Sequence, residues 1–106
     1  TGNYNVAVGK MTLRTNTTGA SNVGAGYETL YSNTTGVNNT AYGYSALYAN
    51  TTGENNVAHG SNSGKQVTTG SYNTLIGDQA GNYSTALTTG SQNTYPVQVQ
   101  FQQQAK

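Results

Sequence analysis

The sequence predicts an all-β fold, a parallel β-solenoid (β-roll) of about six 17-residue coils. Three observations predict it. Glycines at Gly2, Gly19, Gly36, Gly53 and Gly70 recur every 17 residues, and Gly90 follows after 20. Three residues beyond each stands an asparagine: Asn5, Asn22, Asn39, Asn56, Asn73 and Asn93. Seven beyond the first five stands another glycine: Gly9, Gly26, Gly43, Gly60 and Gly77. A fixed period means one structural unit stacked on copies of itself, and 17 residues is too short for helical repeats or a propeller blade.

Two short strands and two turns fill such a period. Val6-Ala7-Val8, Val23-Gly24-Ala25, Thr40-Ala41-Tyr42, Val57-Ala58-His59 and Thr74-Leu75-Ile76 read as the first strand of each coil. The segments around Leu13, Leu30 and Leu47 read as the second. The Thr-Thr-Gly steps mark a corner at which glycine takes positive φ without steric cost. With 14 Asn and 14 Gly there is no Asn-Gly or Asp-Gly dipeptide, the pair that most strongly signals a tight hairpin. Parallel coiling, with about 4.8 Å of rise per coil, is therefore expected.

The core is thin. Ala7, Gly24, Ala41, Ala58 and Leu75 share one phase and are placed inward, between closely spaced walls. Leu13, Leu30 and Leu47 form a second apolar column, interrupted at Gly64 and Gly81. The mixed column Val8, Ala25, Tyr42, His59 and Ile76 is expected to face solvent or a partner chain. Asn5 to Asn93 and the Thr-Thr steps are expected to stack as ladders, each amide bonding its copy one coil away, as in cross-β stacks. Residues 1–93 thus form the repeat domain. After Asn93 the pattern stops, and Val97, Val99 and Phe101 alternate with glutamines. Period two means a strand with one apolar face, so residues 94–106 read as a capping strand or a junction to the next segment.

Composition explains why ladders are needed. Leu, Ile, Val and Phe number 15 of 106 residues, while Thr contributes 18, Asn 14, Gly 14 and Tyr 9. That aliphatic share falls below the roughly 20% that marks many disordered chains, but the net charge is only +1, not the strong charge that accompanies disorder. Lys10, Arg14, Lys65 and Lys106 are scattered, which excludes a basic nucleic-acid face. No apolar run approaches the roughly 20 residues of a membrane span, so no membrane insertion is expected. There is no cysteine, hence neither a disulfide framework nor a thiol site. The opening Thr1-Gly2, with no Met or signal peptide, suggests an excerpt of a longer chain. One narrow stack buries little apolar surface and leaves open edges at its ends, so several chains are expected to pack side by side.

Asn5 to Gly9, Asn39 to Gly43, Asn56 to Gly60 and Asn73 to Gly77 resemble the Ser-Val-Ala-Ile-Gly repeat in the heads of trimeric autotransporter adhesins. The longer unit from Asn33 to Leu47 is closer still to repeats of phage tail fibres. The resemblance covers about residues 1 to 95 and implies a homotrimer of β-rolls. It also implies a cell-surface glycan or protein receptor. The location would be the virion tail fibre or, alternatively, a bacterial cell surface. This chain departs from the adhesin pattern in its longer period and in Gly24, Gly64 and Gly81, which replace apolar residues.

Candidate chemistry is sparse. Gly60-Ser-Asn-Ser-Gly-Lys65-Gln66 resembles a phosphate loop, but has one residue too few between its glycines and Gln66 where Ser or Thr would hold magnesium. Glu28, Glu54 and Asp78 are the only carboxylates. Glu28 and Asp78 lie three coils apart, about 14 Å at strand spacing, beyond the roughly 5–9.5 Å of glycosidase pairs. His59 is the only histidine, so one chain holds no multi-histidine metal site, and no cofactor is expected. Tyr27 and Tyr44 share one phase, Tyr31 and Tyr48 another. They read either as an aromatic strip for sugar rings or as a ladder stabilising the stack. Asn16, Asn33, Asn38, Asn50 and Asn82 begin glycosylation sequons, three of which restate the repeat.

The expected function is a non-enzymatic fibre segment, a stiff spacer contributing to host attachment. The alternatives are the head of a bacterial adhesin and an ice-binding solenoid. The last would use the threonine array Thr17/Thr18, Thr34/Thr35, Thr51/Thr52, Thr68/Thr69 and Thr88/Thr89. Adjacent strand residues point to opposite sides, so only one of each pair could join a flat outer face.

Overall fold

The β-branched residue that opens each triplet (Val6, Val23, Thr40, Val57 and Thr74) packs well on a pleated surface, and each triplet becomes a strand. The computed structural model describes residues 2–82 and the backbone of Thr94 and Tyr95. The strands are β1 (Val6–Val8), β2 (Val23–Ala25), β3 (Thr40–Tyr42), β4 (Val57–His59), β5 (Thr74–Ile76) and β6 (Thr94–Tyr95). They form one sheet in chain order with every pairing parallel. Val6 pairs with Val23, Val23 with Thr40, Thr40 with Val57 and Val57 with Thr74, so four turns of solenoid keep the 17-residue register. The 20-residue step then brings Thr94 opposite Thr74 and Tyr95 opposite Leu75. The sheet therefore continues two residues past the expected boundary at Asn93. Gly90, Asn93, Thr88/Thr89 and the alternating run at Val97, Val99 and Phe101 lie outside the described residues.

The first strand of each coil falls where the period places it. The expected second strand does not exist among the described residues. Leu13, Leu30 and Leu47 lie in turns and have φ of 54°, 53° and 51°. A left-handed residue cannot extend a ladder, and here the turn aims each leucine into the coil, where Leu30 and Leu47 are fully buried and Leu13 is packed against the core.

The assignment of the left-handed glycine also requires correction. Gly19, Gly36, Gly53 and Gly70 are not among the positive-φ residues, whereas Gly9, Gly26, Gly43, Gly60 and Gly77 have φ between 114° and 138°. Close approach, not handedness, excludes side chains from the first set. A Cβ on Gly36 would strike the Gly53 carbonyl and the Asn33 amide. At Gly43 both reasons apply, since φ is 125° and a Cβ would lie 2.6 Å from the Gly60 oxygen.

The inward strand column is buried at Gly24, Ala41, Ala58 and Leu75, but Ala7 is exposed because β1 pairs on one side only. Leu75 shows how the interruptions in the leucine column are filled. A Cβ on Gly64 would meet Leu75 Cδ1 at 2.6 Å, Leu47 Cδ2 at 3.1 Å and Val67 Cγ2 at 3.7 Å. Where the turn supplies leucine the strand supplies alanine or glycine; at β5 the large residue comes from the strand and the turn carries glycine. Interiors are packed without room for both. Gly24 follows the same rule, its vacated volume bounded by Thr12, Thr29 and Leu30.

Candidate functional site

Three kinds of side-chain ladder run along the solenoid. In the first, the backbone N–H groups of Asn22, Asn39, Asn56 and Asn73 donate to the Oδ1 atoms of Asn5, Asn22, Asn39 and Asn56 at 2.9–3.0 Å. The Nδ2 groups of Asn5, Asn22, Asn39 and Asn56 donate to the carbonyls of Gly19, Gly36, Gly53 and Gly70 at 2.8–2.9 Å. The expectation that each of these amides bonds its own copy is thus corrected: one amide clamps two backbone groups of the next coil, joined at one step by an Asn56 Nδ2 to Asn39 Oδ1 bond. The amide-to-amide ladder lies elsewhere, where Asn33 Nδ2 donates to Asn16 Oδ1 at 2.8 Å and Asn50 Nδ2 to Asn33 Oδ1 at 2.9 Å. In the sequence these residues stand as sequons and as the first position of each Asn-Thr-Thr-Gly step. Their common phase, one residue before each Thr-Thr pair, was the available signal. Asn33 and Asn50 are fully buried, which closes those two sequons to an oligosaccharide.

The threonine steps form the second ladder. Thr17, Thr34 and Thr51 donate their hydroxyls to the carbonyls of Thr34, Thr51 and Thr68 at 3.0–3.3 Å. Thr18, Thr35, Thr52 and Thr69 form one exposed column beside the corner.

The tyrosines form the third. Tyr27 and Tyr44 stack with centroids 5.5 Å apart and planes 23° apart, Tyr31 and Tyr48 at 5.1 Å and 10°. The structure brings each predicted pair together, with ring faces turned toward one another. Lys65 Nζ lies 5.7 Å over the Tyr48 ring and extends the second stack by a cation–π contact. The carboxylate of Glu28 beside it, then desolvation and the phenols of Tyr44 and Tyr48, hold Tyr27 above the usual phenol range. Each ring turns one face to its stacking partner, Lys65 lies over Tyr48, and the strip is most open at Tyr44.

The phosphate-loop look-alike has no free cradle. Asn62 N donates to the Tyr44 carbonyl, Ser63 N to Gly60, Gly64 N to Ala80 and Lys65 N to Asn82 Oδ1, so the amides a phosphate would need are bonded within the stack. Among the described residues no three His, Cys, Asp or Glu side chains gather in a group that could hold a metal, and no helix is long and apolar enough to cross a membrane.

The sheet's outer face carries the remaining feature. With each strand's central residue turned inward, both flanking residues point outward, giving the column Val8, Ala25, Tyr42, His59, Ile76 and the column Val6, Val23, Thr40, Val57, Thr74. Val6, Val8, Tyr42, Val57 and Ile76 are 38–60% exposed. No Lys, Arg, Asp or Glu lies on β1–β5. The result is a face without formal charge and mostly apolar, interrupted by Thr40, His59 and Thr74, of a kind that marks interaction surfaces. A comparison with family models, curated proteins and solved structures finds no match to this chain.

Proposed function

We propose that the chain is a non-enzymatic segment of a phage tail fibre, a stiff spacer of about six 17-residue coils that assembles as a homotrimer and contributes to host-surface attachment. The observation that supports it is the bare outer sheet face. Its residues repeat coil by coil at about 4.8 Å, so a parallel copy of the chain presents the same spacing and keeps register along its whole length. The absence of Lys, Arg, Asp and Glu from β1–β5 lets the face meet its copy without like-charge repulsion. The asparagine and threonine ladders supply stiffness that so thin a core cannot. The receptor is a cell-surface glycan or protein; for a glycan, Tyr27, Tyr31, Tyr44 and Tyr48 are the candidate contacts. The same physics serves the head of a bacterial surface adhesin.

Light scattering tests the proposal. A mass about three times the chain's 11.0 kDa, held over a wide dilution range, is the expected result. A mass of one chain at every concentration overturns it.

A further inference from the structure

One imidazole lies on the outer sheet face. His59 is the last residue of β4 and is exposed on the outward side of the sheet. Tyr42 precedes it and Ile76 follows it in the same column. Its ring lies 5.5 Å from that of Tyr42, tilted by 57°. The ionisable group facing it from β3 is the Tyr42 phenol, while β5 presents Thr74 and Ile76, and its own strand presents Val57. The nearest carboxylates along these coils, Glu54 and Asp78, stand outside the strands, before β4 and after β5. No counter-charge is therefore built into the face.

An imidazole in water takes up its proton near pH 6.5. Burying the charged form against apolar surface without a partner is costly, so an interface closing over it favours the neutral form. We propose that His59 makes self-association through this face pH-dependent: copies join while the imidazole is neutral and separate when it is protonated. This rests on the reading of the face as a contact between copies. In-register assembly also sets the His59 residues of different copies at the same level of the stack, where their charges repel. The sign follows from linkage. Association lowers the affinity for the proton, so acid favours separate chains and association is complete only above the ordinary imidazole range.

The test is the association constant of the whole chain by analytical ultracentrifugation at about pH 8 and about pH 5, at fixed ionic strength, with circular dichroism reporting the fold at both. His59→Phe is measured alongside, because it keeps a ring against Tyr42 but cannot charge. The expected result is association at least roughly tenfold weaker in acid for the natural chain, with the difference lost in His59→Phe. Equal association at both pH values overturns the switch and leaves the fibre reading standing, as does an acid effect that persists in His59→Phe. Single chains at both pH values overturn the fibre reading, and the switch with it.

Discussion

Asn50 Oδ1 is buried without a hydrogen-bond partner because the residue one coil further on is Val67. Asn33 accepts from Asn50 and donates to Asn16, but at position 67 the amide ladder ends in a side chain that cannot donate. Val67 is itself buried and packs beside Gly64, so the ladder is exchanged for apolar volume where the turn leucine is missing.

The two asparagines should therefore differ when truncated. Asn33→Ala removes a donor and an acceptor that are both engaged, leaving Asn16 and Asn50 each short of a partner, whereas Asn50→Ala removes donor contacts and deletes an oxygen already unpaired. Unpairing a buried polar group costs about 1–3 kcal/mol. Chemical denaturation should show Asn33→Ala less stable than Asn50→Ala by about 1 kcal/mol; equal losses would refute the ladder's asymmetry.

Leu75 and Gly64 form a testable pair. Leu75→Ala should cost about 2–5 kcal/mol as a cavity opens, and Gly64→Leu should also destabilise, since Leu75 occupies the space. Combined, they recreate the Leu47 and Ala58 arrangement one coil earlier, with backbone φ at Gly64 already 62°. The double variant should recover most of the loss, with a favourable coupling of about 2 kcal/mol or more. Additive losses in the denaturation midpoints would show that the two sites do not share volume.

Gly43→Ala should destabilise the stack by more than about 2 kcal/mol, through a left-handed φ and a clash with the Gly60 carbonyl together. The thermal transition of this variant should fall accordingly. An unchanged transition would mean that the coils can separate at this corner without cost.

Tyr27 gives a prediction at alkaline pH. Its folded-state proton affinity is raised, chiefly by Glu28, so the folded chain holds the proton more tightly than the unfolded one. The associated stability is present below the usual phenol pKa of about 10 and is lost as pH rises through the folded value. Ultraviolet titration of phenolate formation should show Glu28→Gln moving the Tyr27 transition downward. No movement would remove Glu28 as the cause.

The strands were legible because a recurring spacing of 17 residues is a covalent fact: with Gly2, Asn5 and Gly9 repeating together, Val6, Val23, Thr40, Val57 and Thr74 can only stack in that register. The tyrosine pairs were legible for the same reason. The turns were not. Leu13 looks like a strand residue on the strength of its apolar column, and nothing local reveals its left-handed φ, because leucine adopts that conformation only when surrounding packing compels it.

The sequence by itself determined the period, the parallel order and the residues that share a column, since equal chain lengths between equivalent positions leave no other registry. Only the tertiary structure decided which glycines are left-handed, which asparagines clamp backbone and which clasp one another, and that Leu75 fills the room left by Gly64. Those outcomes depend on how each coil closes against the next, through steric exclusion and hydrogen-bond geometry between residues 14 to 17 apart, and no single repeat carries that information.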